Sequence, residues 1–238
     1  MRGRMRGRMK RSVITGASRG IGRAVALRLA GKRSHLILHG RDRGALDETR
    51  VKVTEKGSTA EIVIAELSRP RDIDALVSTV GGGPLDVLVN NAGVGCVKPF
   101  EEVSLDEWRE SLAVNVTAPF LLVRGLVPFM ERGAAIVNIL SIAARTGFPG
   151  WSVYSMCKFA LEGFSQSIRE ELRERGIRVI NIYPAATDTD IWNNVPGDWP
   201  REKMLPPGEV ADAVYYAVTR PGPVSVENIT VGGIAGKL

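Results

Sequence analysis

Tyr154 and Lys158 lie four residues apart in a stretch with helical periodicity, and they are the sharpest chemical pair in the sequence. On a helix that spacing sets both side chains on one face, so they can address one reacting group. A free phenol has a pKa of about 10, too high for ready proton exchange at neutral pH, and a neighbouring ammonium favours the phenolate. The pair suits proton transfer to or from an oxygen, with Lys158 expected to lower the pKa of Tyr154. Cys157 sits between them, and with no histidine close in sequence it reads as a packed helix thiol rather than a nucleophile.

A second constellation is the run Thr15-Gly16-Ala17-Ser18-Arg19-Gly20-Ile21-Gly22, which follows an apolar run and opens a helical pattern. Glycines at 16, 20 and 22 allow a tight turn and close approach of a ligand to the backbone. Free N–H groups at the helix start favour an anion, so the turn suits the pyrophosphate of a dinucleotide. The next strand ends in His39-Gly40-Arg41, without the carboxylate that would accept hydrogen bonds from a free ribose 2′-hydroxyl. Arg41, with Arg19 from the glycine turn, instead suits a 2′-phosphate. Asp42 is read either as turned toward the ribose or as a solvated loop acid.

These residues need a scaffold. Strand-like runs at Ser12–Ile14, His35–Leu38, Ala60–Ala65, Val87–Val89, Ala135–Ile139, Ile177–Ile182 and Asn228–Val231 alternate with helical patterns. The helical patterns cover Gly20–Ala30, Gly44–Lys56, Arg71–Thr79, Leu105–Met130, Ser152–Arg175 and Glu209–Thr219. That rhythm predicts a Rossmann-type, doubly wound α/β fold, a parallel sheet of about seven strands in a single domain. Ser104-Leu105-Asp106-Glu107 has the form of a capping box at a helix start. Residues 190–207, rich in Pro, Gly and Asn, form the longest irregular stretch and are expected to act as a substrate loop.

The 238 residues carry a net charge of +6, which raises the question of nucleic acid. The six basic residues within Met1–Arg11 account for it, and the remaining chain is neutral, with few aromatics interleaved among the cations. Residues 1–11 are therefore expected to be a disordered basic tail ahead of a domain spanning 12–238, with no nucleic-acid partner. No apolar run approaches the roughly 18 residues of a membrane span, so no membrane partner is expected. Two cysteines, Cys96 and Cys157, in unrelated elements and without a secretory signal fit a reducing cytoplasm. His35 and His39 belong to the second strand, no cluster has metal-ligand spacing, and no metal is predicted.

Taken together, the glycine turn, Asn90-Asn91-Ala92-Gly93, Ser141 and Tyr154-Ser155-Met156-Cys157-Lys158 resemble the short-chain dehydrogenase/reductase family over Ser12 to about Thr189. The closest likeness is to its NADPH-using, 3-oxoacyl reductase-like members. The resemblance implies an oxidoreductase interconverting a carbonyl and an alcohol with NADP(H). Its catalytic residues would be Asn115, Ser141, Tyr154 and Lys158. Tyr154 would protonate the carbonyl oxygen and Ser141 would hydrogen-bond it. Lys158 would also bind the nicotinamide ribose, and Asn115 would hold a water that relays protons to Lys158.

The same resemblance implies cofactor contacts from Gly16, Ser18, Arg19, Gly20, Ile21 and Gly22, and from Arg41, Glu66 and Leu67. Asn91, Ala92 and Gly93, Pro184, Thr187 and Thr189, and Tyr154 and Lys158 complete the set. Glu66 stands where the family has an aspartate at the adenine and reads equally as a solvated carboxylate. Pro184-Ala185 stands where the family has Pro-Gly. Substrate contacts are expected from Ser141, Trp151, Tyr154 and Trp192, with Val94, Cys96, Ala143, Phe148 and Ile191 as further apolar candidates. Such a wall suits a hydrophobic or cyclic ketone or a 3-oxoacyl thioester.

A homo-oligomer, tetramer or dimer, is expected on the two long helices, through Phe120, Leu121, Leu126, Phe159, Leu161 and Phe164. The alternative is a regulatory protein of the same fold that binds the dinucleotide without chemistry.

Overall fold

A computed structural model describes residues 9–222 and 224–234 of the chain. The expected basic tail falls mostly on residues 1–8, outside the described residues. Its inner boundary is corrected: strand β1 spans Lys10–Ile14 rather than starting at Ser12. Arg11 is fixed there because its guanidinium donates to the carbonyls of Gly83 at 2.8 Å and Val80 at 3.0 Å.

Six more strands follow, β2 (Ser34–Gly40), β3 (Thr59–Ile64), β4 (Leu85–Asn90), β5 (Met130–Ile139), β6 (Arg178–Pro184) and β7 (Asn228–Val231). They form one parallel sheet in the order β3-β2-β1-β4-β5-β6-β7. Parallel neighbours require a crossover between them, and here the crossovers are mostly helical. Helices α1 (Gly20–Leu29), α2 (Arg43–Glu55), α3 (Pro70–Val80), α4 (Leu105–Leu112), α5 (Ala118–Leu126), α6 (Ser152–Arg173) and α7 (Pro207–Val218) supply the flanking layers.

Because side chains alternate across a strand, each face of the sheet buries its own core. Val13, Ile37, Leu88, Ile136 and Val179 pack against Leu76 of α3, Leu122 of α5 and Ile168 of α6. Ile14, Leu38, Val89, Val137 and Ile182 pack against Val25 of α1, Leu46 of α2 and Val214 of α7. The order of strands reverses between β1 and β4, and their carboxyl ends open the crevice where ligands of such sheets bind.

The single helix expected over Leu105–Met130 is divided. A π turn at Ala113–Thr117 separates α4 from α5, and a 3₁₀ turn at Val127–Phe129, with Pro128 inside it, ends the run. The capping box at its start is present: Ser104 accepts from Glu107 N–H and the Glu107 carboxylate accepts from Ser104 N–H. The run Leu105–Phe129 is long and apolar enough to cross a membrane by length and composition, with mean hydropathy 1.6 over 18 residues. That corrects the expectation that no segment reaches such a length. In this fold its Ala118, Leu122, Val123 and Leu126 are core residues.

The irregular stretch 190–207 is tied down at both ends. Thr187 pairs with Leu205, Asp188 N–H donates to Leu205 O at 2.9 Å, and Leu205 N–H donates to Ala186 O at 2.9 Å. Val195 and Met204 are buried, and 3₁₀ turns occupy Asp190–Asn194 and Arg201–Lys203.

Candidate active site

The carboxyl ends of β1, β4, β5 and β6 border a cleft of about 830 Å³. Its first wall is the glycine turn. Gly16 and Gly20 have positive φ (+66° and +53°), and a Cβ on Gly22 would lie 2.1 Å from Gly16 O, so only glycine fits there. Thr15 Oγ accepts from the N–H groups of Asn91 (2.9 Å) and Ala92 (3.0 Å), and Asn91 Nδ2 donates to Thr15 O at 2.8 Å. The turns after β1 and β4 are thereby locked into one surface. Behind it, buried Asn90 donates to Asn138, which donates to Ser165 on α6.

Gly16, Ser18, Arg19, Gly20 and Ile21 line the cleft, as do Asn91, Ala92 and Gly93. Gly22 packs behind the turn instead of facing the cleft. The turn meets the end of the β6 loop directly, since Gly20 faces Thr189, and Pro184, Thr187 and Thr189 line the same space. This cradle fits a dinucleotide: the helix start carries no acidic residue in its first turn and no side-chain cap.

Arg41, Glu66 and Leu67 also line the cleft. Arg41 pairs with Glu66 at 3.2 Å, and Arg19 pairs with Asp190 at 3.6 Å. Burial pushes the Glu66 carboxyl up, but the Ser68 N–H and the Arg41 guanidinium outweigh it and hold its pKa below the usual value. Asp42, left open in the sequence, caps α2 by accepting from Ala45 N–H at 3.0 Å.

At the other end lie Ser141, Tyr154 and Lys158. Tyr154 and Lys158 share the first turns of α6, and the Lys158 ammonium lies 5.5 Å from the Tyr154 ring centroid. Lys158 is 5% exposed and donates to Ile139 O at 2.9 Å, anchored to the end of β5. Ser141, following that strand, stands near enough to the Tyr154 phenol to favour its ionised form, while its own Oγ accepts from Ala143 N–H at 3.1 Å.

The expected lowering of the Tyr154 pKa by Lys158 is corrected. Burial pushes the phenol up to about 12, only partly opposed by Ser141. Burial also brings Lys158 down to about 8. At physiological pH the Tyr154 phenol is therefore protonated, and Lys158 titrates close to that pH.

Asn115 is not on the cleft surface. It sits in the π turn, 1% exposed, where its Oδ1 accepts from Val94 N–H (3.1 Å) and its Nδ2 donates to Val94 O (3.0 Å). A π turn adds one residue to the helix register, which aims this side chain at the strand loop. A Cβ on Gly93 would lie 2.8 Å from Asn115 Oδ1 and 3.9 Å from Lys158 Nζ, so the glycine keeps the two close.

Trp151, Trp192, Val94, Ala143, Phe148 and Ile191 line the cleft as expected, whereas Cys96 lines a smaller adjoining hollow of about 240 Å³. The sequence reading missed His39, at the floor of the glycine turn, and Trp199, whose place in the Pro- and Gly-rich loop was its one signal.

The family model for short chain dehydrogenases matches residues 10–198. The chain belongs to the short-chain dehydrogenase/reductase family. An uncharacterised oxidoreductase of Staphylococcus saprophyticus is 30% identical over 93% of this chain and 96% of its own. A sepiapterin reductase of Chlorobaculum tepidum is also 30% identical, covering 95% of this chain and 97% of its own. Among solved structures, an alcohol dehydrogenase of the archaeon Thermococcus sibiricus, complexed with 5-hydroxy-NADP, superposes with a TM-score of 0.89. That enzyme is 28% identical, over 97% of this chain and 99% of its own. The chain is thus an oxidoreductase of this family by descent and by fold.

Proposed function

We propose that this protein is an NADPH-dependent reductase of ketone-type carbonyls, running in reverse as an alcohol dehydrogenase. The observation that carries this reading is the placement of Tyr154, Ser141 and Lys158 in one cleft with the glycine turn. The 5-hydroxy-NADP complex of the Thermococcus relative supports the choice of cofactor.

The glycine turn would hold the pyrophosphate, Arg41 and Arg19 the 2′-phosphate, Lys158 the nicotinamide ribose and Thr189 the carboxamide. When bound, NADPH supplies the hydride that the carbonyl carbon takes up. Tyr154 gives its phenolic proton to the carbonyl oxygen, and Ser141 donates a hydrogen bond to that oxygen as negative charge develops on it. Lys158, with its pKa near 8, returns a proton to the phenolate. Asn115 acts through position: by holding the Val94 backbone it fixes the loop between Lys158 and the substrate.

The deciding experiment titrates the purified protein with NADPH and a panel of carbonyl compounds, following NADPH oxidation by absorbance. Turnover that disappears in Tyr154→Phe bears the reading out. Cofactor binding with no turnover of any carbonyl would favour the regulatory protein.

The proposal extends to a homo-oligomer formed through α4, α5 and α6. Of the residues expected at that interface, Leu126 and Leu161 belong to the core, a correction, and Leu121 and Phe164 pack against it. Phe120 (42% exposed) and Phe159 (47%) remain on the surface, joined by Leu105 and Trp108. Light scattering of the purified protein tests the state.

A further inference from the structure

Three tryptophans meet beside Tyr154, one of them in contact with its ring. Trp151, at the N-cap of α6, packs edge-to-face on Tyr154 with ring centroids 5.4 Å apart. Trp192 and Trp199 come from the 190–207 loop. They lie 5.6 and 6.4 Å from Trp151 and 4.9 Å from each other, all tilted or edge-to-face. All three line the cleft and are neither fully buried nor fully exposed, so part of each remains available to a ligand.

The loop fixes how they are presented. Trp192 Nε1–H donates to Thr187 O at 2.9 Å, and Trp199 Nε1–H donates to Pro196 O at 3.0 Å. Both indoles have therefore spent their polar handle on the protein's own backbone and offer a ligand carbon and π surface. The Trp199 turn depends on Gly197, whose φ of +111° lies in the region that disfavours other residues. The ring is held by backbone geometry, with little ordering left to do when a substrate arrives.

The charges around the cleft exclude other ligands. Arg41 is paired with Glu66 and Arg19 with Asp190, at the glycine-turn end. Lys158 is tied to Ile139 O. In the neighbouring hollow Lys98 is paired with Glu107. Among the described residues no uncommitted cation lines the space around Trp151, Trp192 and Trp199, and the two further charged residues lining the cleft, Asp42 and Glu110, are carboxylates. Apart from Lys158, which holds Ile139 O and is assigned to the nicotinamide ribose, a substrate carboxylate or phosphate would find no counter-ion at this wall.

We infer that the substrate is a neutral, flat aromatic ketone whose ring lies against Trp151, Trp192 and Trp199 while its carbonyl oxygen meets Tyr154 and Ser141. This narrows the substrate of the proposed reductase and rests on that reading. An aromatic ring gains offset or edge-to-face contacts with indoles that a puckered, saturated ring of the same skeleton does not make. An open-chain β-oxoacyl group presents neither a flat face nor enough surface to cover the wall.

The test compares β-tetralone, its saturated counterpart β-decalone and a neutral β-oxoester as substrates with NADPH, in the wild type and in Trp151→Leu and Trp199→Leu. In parallel, β-tetralol and β-decalol are titrated calorimetrically into the protein in the presence of NADP⁺, which reads the wall without turnover. We expect kcat/KM for β-tetralone to exceed that for β-decalone by about tenfold, the alcohols to bind in the same order, and each leucine variant to reduce that ratio several-fold.

Equal kcat/KM and equal binding for the aromatic and saturated compounds, or ratios unmoved in both variants, would overturn the inference while leaving the reductase standing. Tighter binding of β-tetralol, lost in the variants, with no turnover of any carbonyl would support the aromatic site and remove the reductase chemistry instead.

Discussion

The backbone N–H of Gly16 donates to Nδ1 of His39 at 3.4 Å, while the opposite ring nitrogen, Nε2, contacts Ala65 O at 3.1 Å. A carbonyl only accepts and an N–H only donates, so the pair fixes one neutral tautomer, with the proton on Nε2. The ring, 2% exposed, bridges the glycine turn to the end of β3 beneath the dinucleotide cradle.

A pH dependence follows from that bridge. Burial lowers the His39 pKa below its ordinary 6.5, and Arg41 adds to the lowering, while the Ala65 carbonyl and Glu66 oppose it. Protonating Nδ1 would set an N–H against the Gly16 N–H. Below pH 6.5 the unfolded chain therefore binds more protons than the folded one. Stability is full above that value and is lost as the pH falls through it toward the lower folded pKa. Melting temperatures taken across this range should fall, as should NADPH affinity. His39→Asn, which keeps an acceptor near Nδ1 but does not titrate, should flatten part of the slope. The partly buried His35, whose pKa is also lowered by burial, contributes to what remains. Identical slopes in wild type and variant would remove His39 from the account.

Much of this site was legible in the sequence because its signals are local. Tyr154 and Lys158 share a helix face by spacing alone, and the glycines at 16, 20 and 22 report a backbone approach no other residue allows. β7 lies at Asn228–Val231, as its apolar alternation predicts. What sequence missed depends on distant partners. Arg11 looked like part of a basic tail because nothing nearby shows that Val80 and Gly83 would offer it carbonyls. The π turn at Asn115 adds one residue to a helix without disturbing its apolar period enough to be seen. His39 looked like any strand residue because its two partners, Gly16 and Ala65, come from the turns that follow β1 and β3. The pKa values of Tyr154 and Lys158 depend on burial, which residue spacing does not report.

Tyr154→Phe deletes the proton donor and leaves the phosphate contacts and the ribose contact assigned to Lys158 in place. Turnover should fall by about a hundredfold or more, with NADPH affinity within a few-fold of wild type, in paired steady-state and binding measurements. For reduction by the wild type, kcat/KM should decline as the pH rises through about 8, where Lys158 loses its charge and its ability to return a proton. A profile that rises through that region would refute the role given to Lys158.

In the proposed reading, cofactor choice turns on an exchange of partners. Arg41 faces Glu66 in the free protein, and both groups line the cleft, so a 2′-phosphate must compete with the carboxylate for the guanidinium. A charge-assisted hydrogen bond contributes about 1.5–3 kcal/mol, so Arg41→Ala should narrow the preference for NADPH over NADH by roughly tenfold or more. Glu66→Gln should widen it by freeing the arginine. The ratio of kcat/KM for the two cofactors reads both effects, and a wild-type preference for NADH would contradict the assignment.

Two glycines of the first crossover provide a matched pair for testing how tightly the cradle is built. A Cβ on Gly22 would lie 2.1 Å from Gly16 O and 2.5 Å from Asn91 Nδ2, contacts that require the turn, the asparagine or both to move. A Cβ on Gly31, just beyond the end of α1, meets nothing within 4 Å, and the residue does not adopt a positive φ. Gly22→Ala should therefore cost about 1–3 kcal/mol of stability, as overpacking does, and should weaken NADPH binding more than it lowers the melting temperature, because the displaced atoms form the pyrophosphate cradle. Gly31→Ala should leave binding unchanged and stability within about 0.5 kcal/mol, or slightly raised by the reduced freedom of the unfolded chain. Chemical denaturation and fluorescence titration of both variants make the comparison. Normal NADPH affinity in Gly22→Ala would show that the turn tolerates displacement and that the close packing of Gly16, Gly22 and Asn91 serves folding rather than the cofactor.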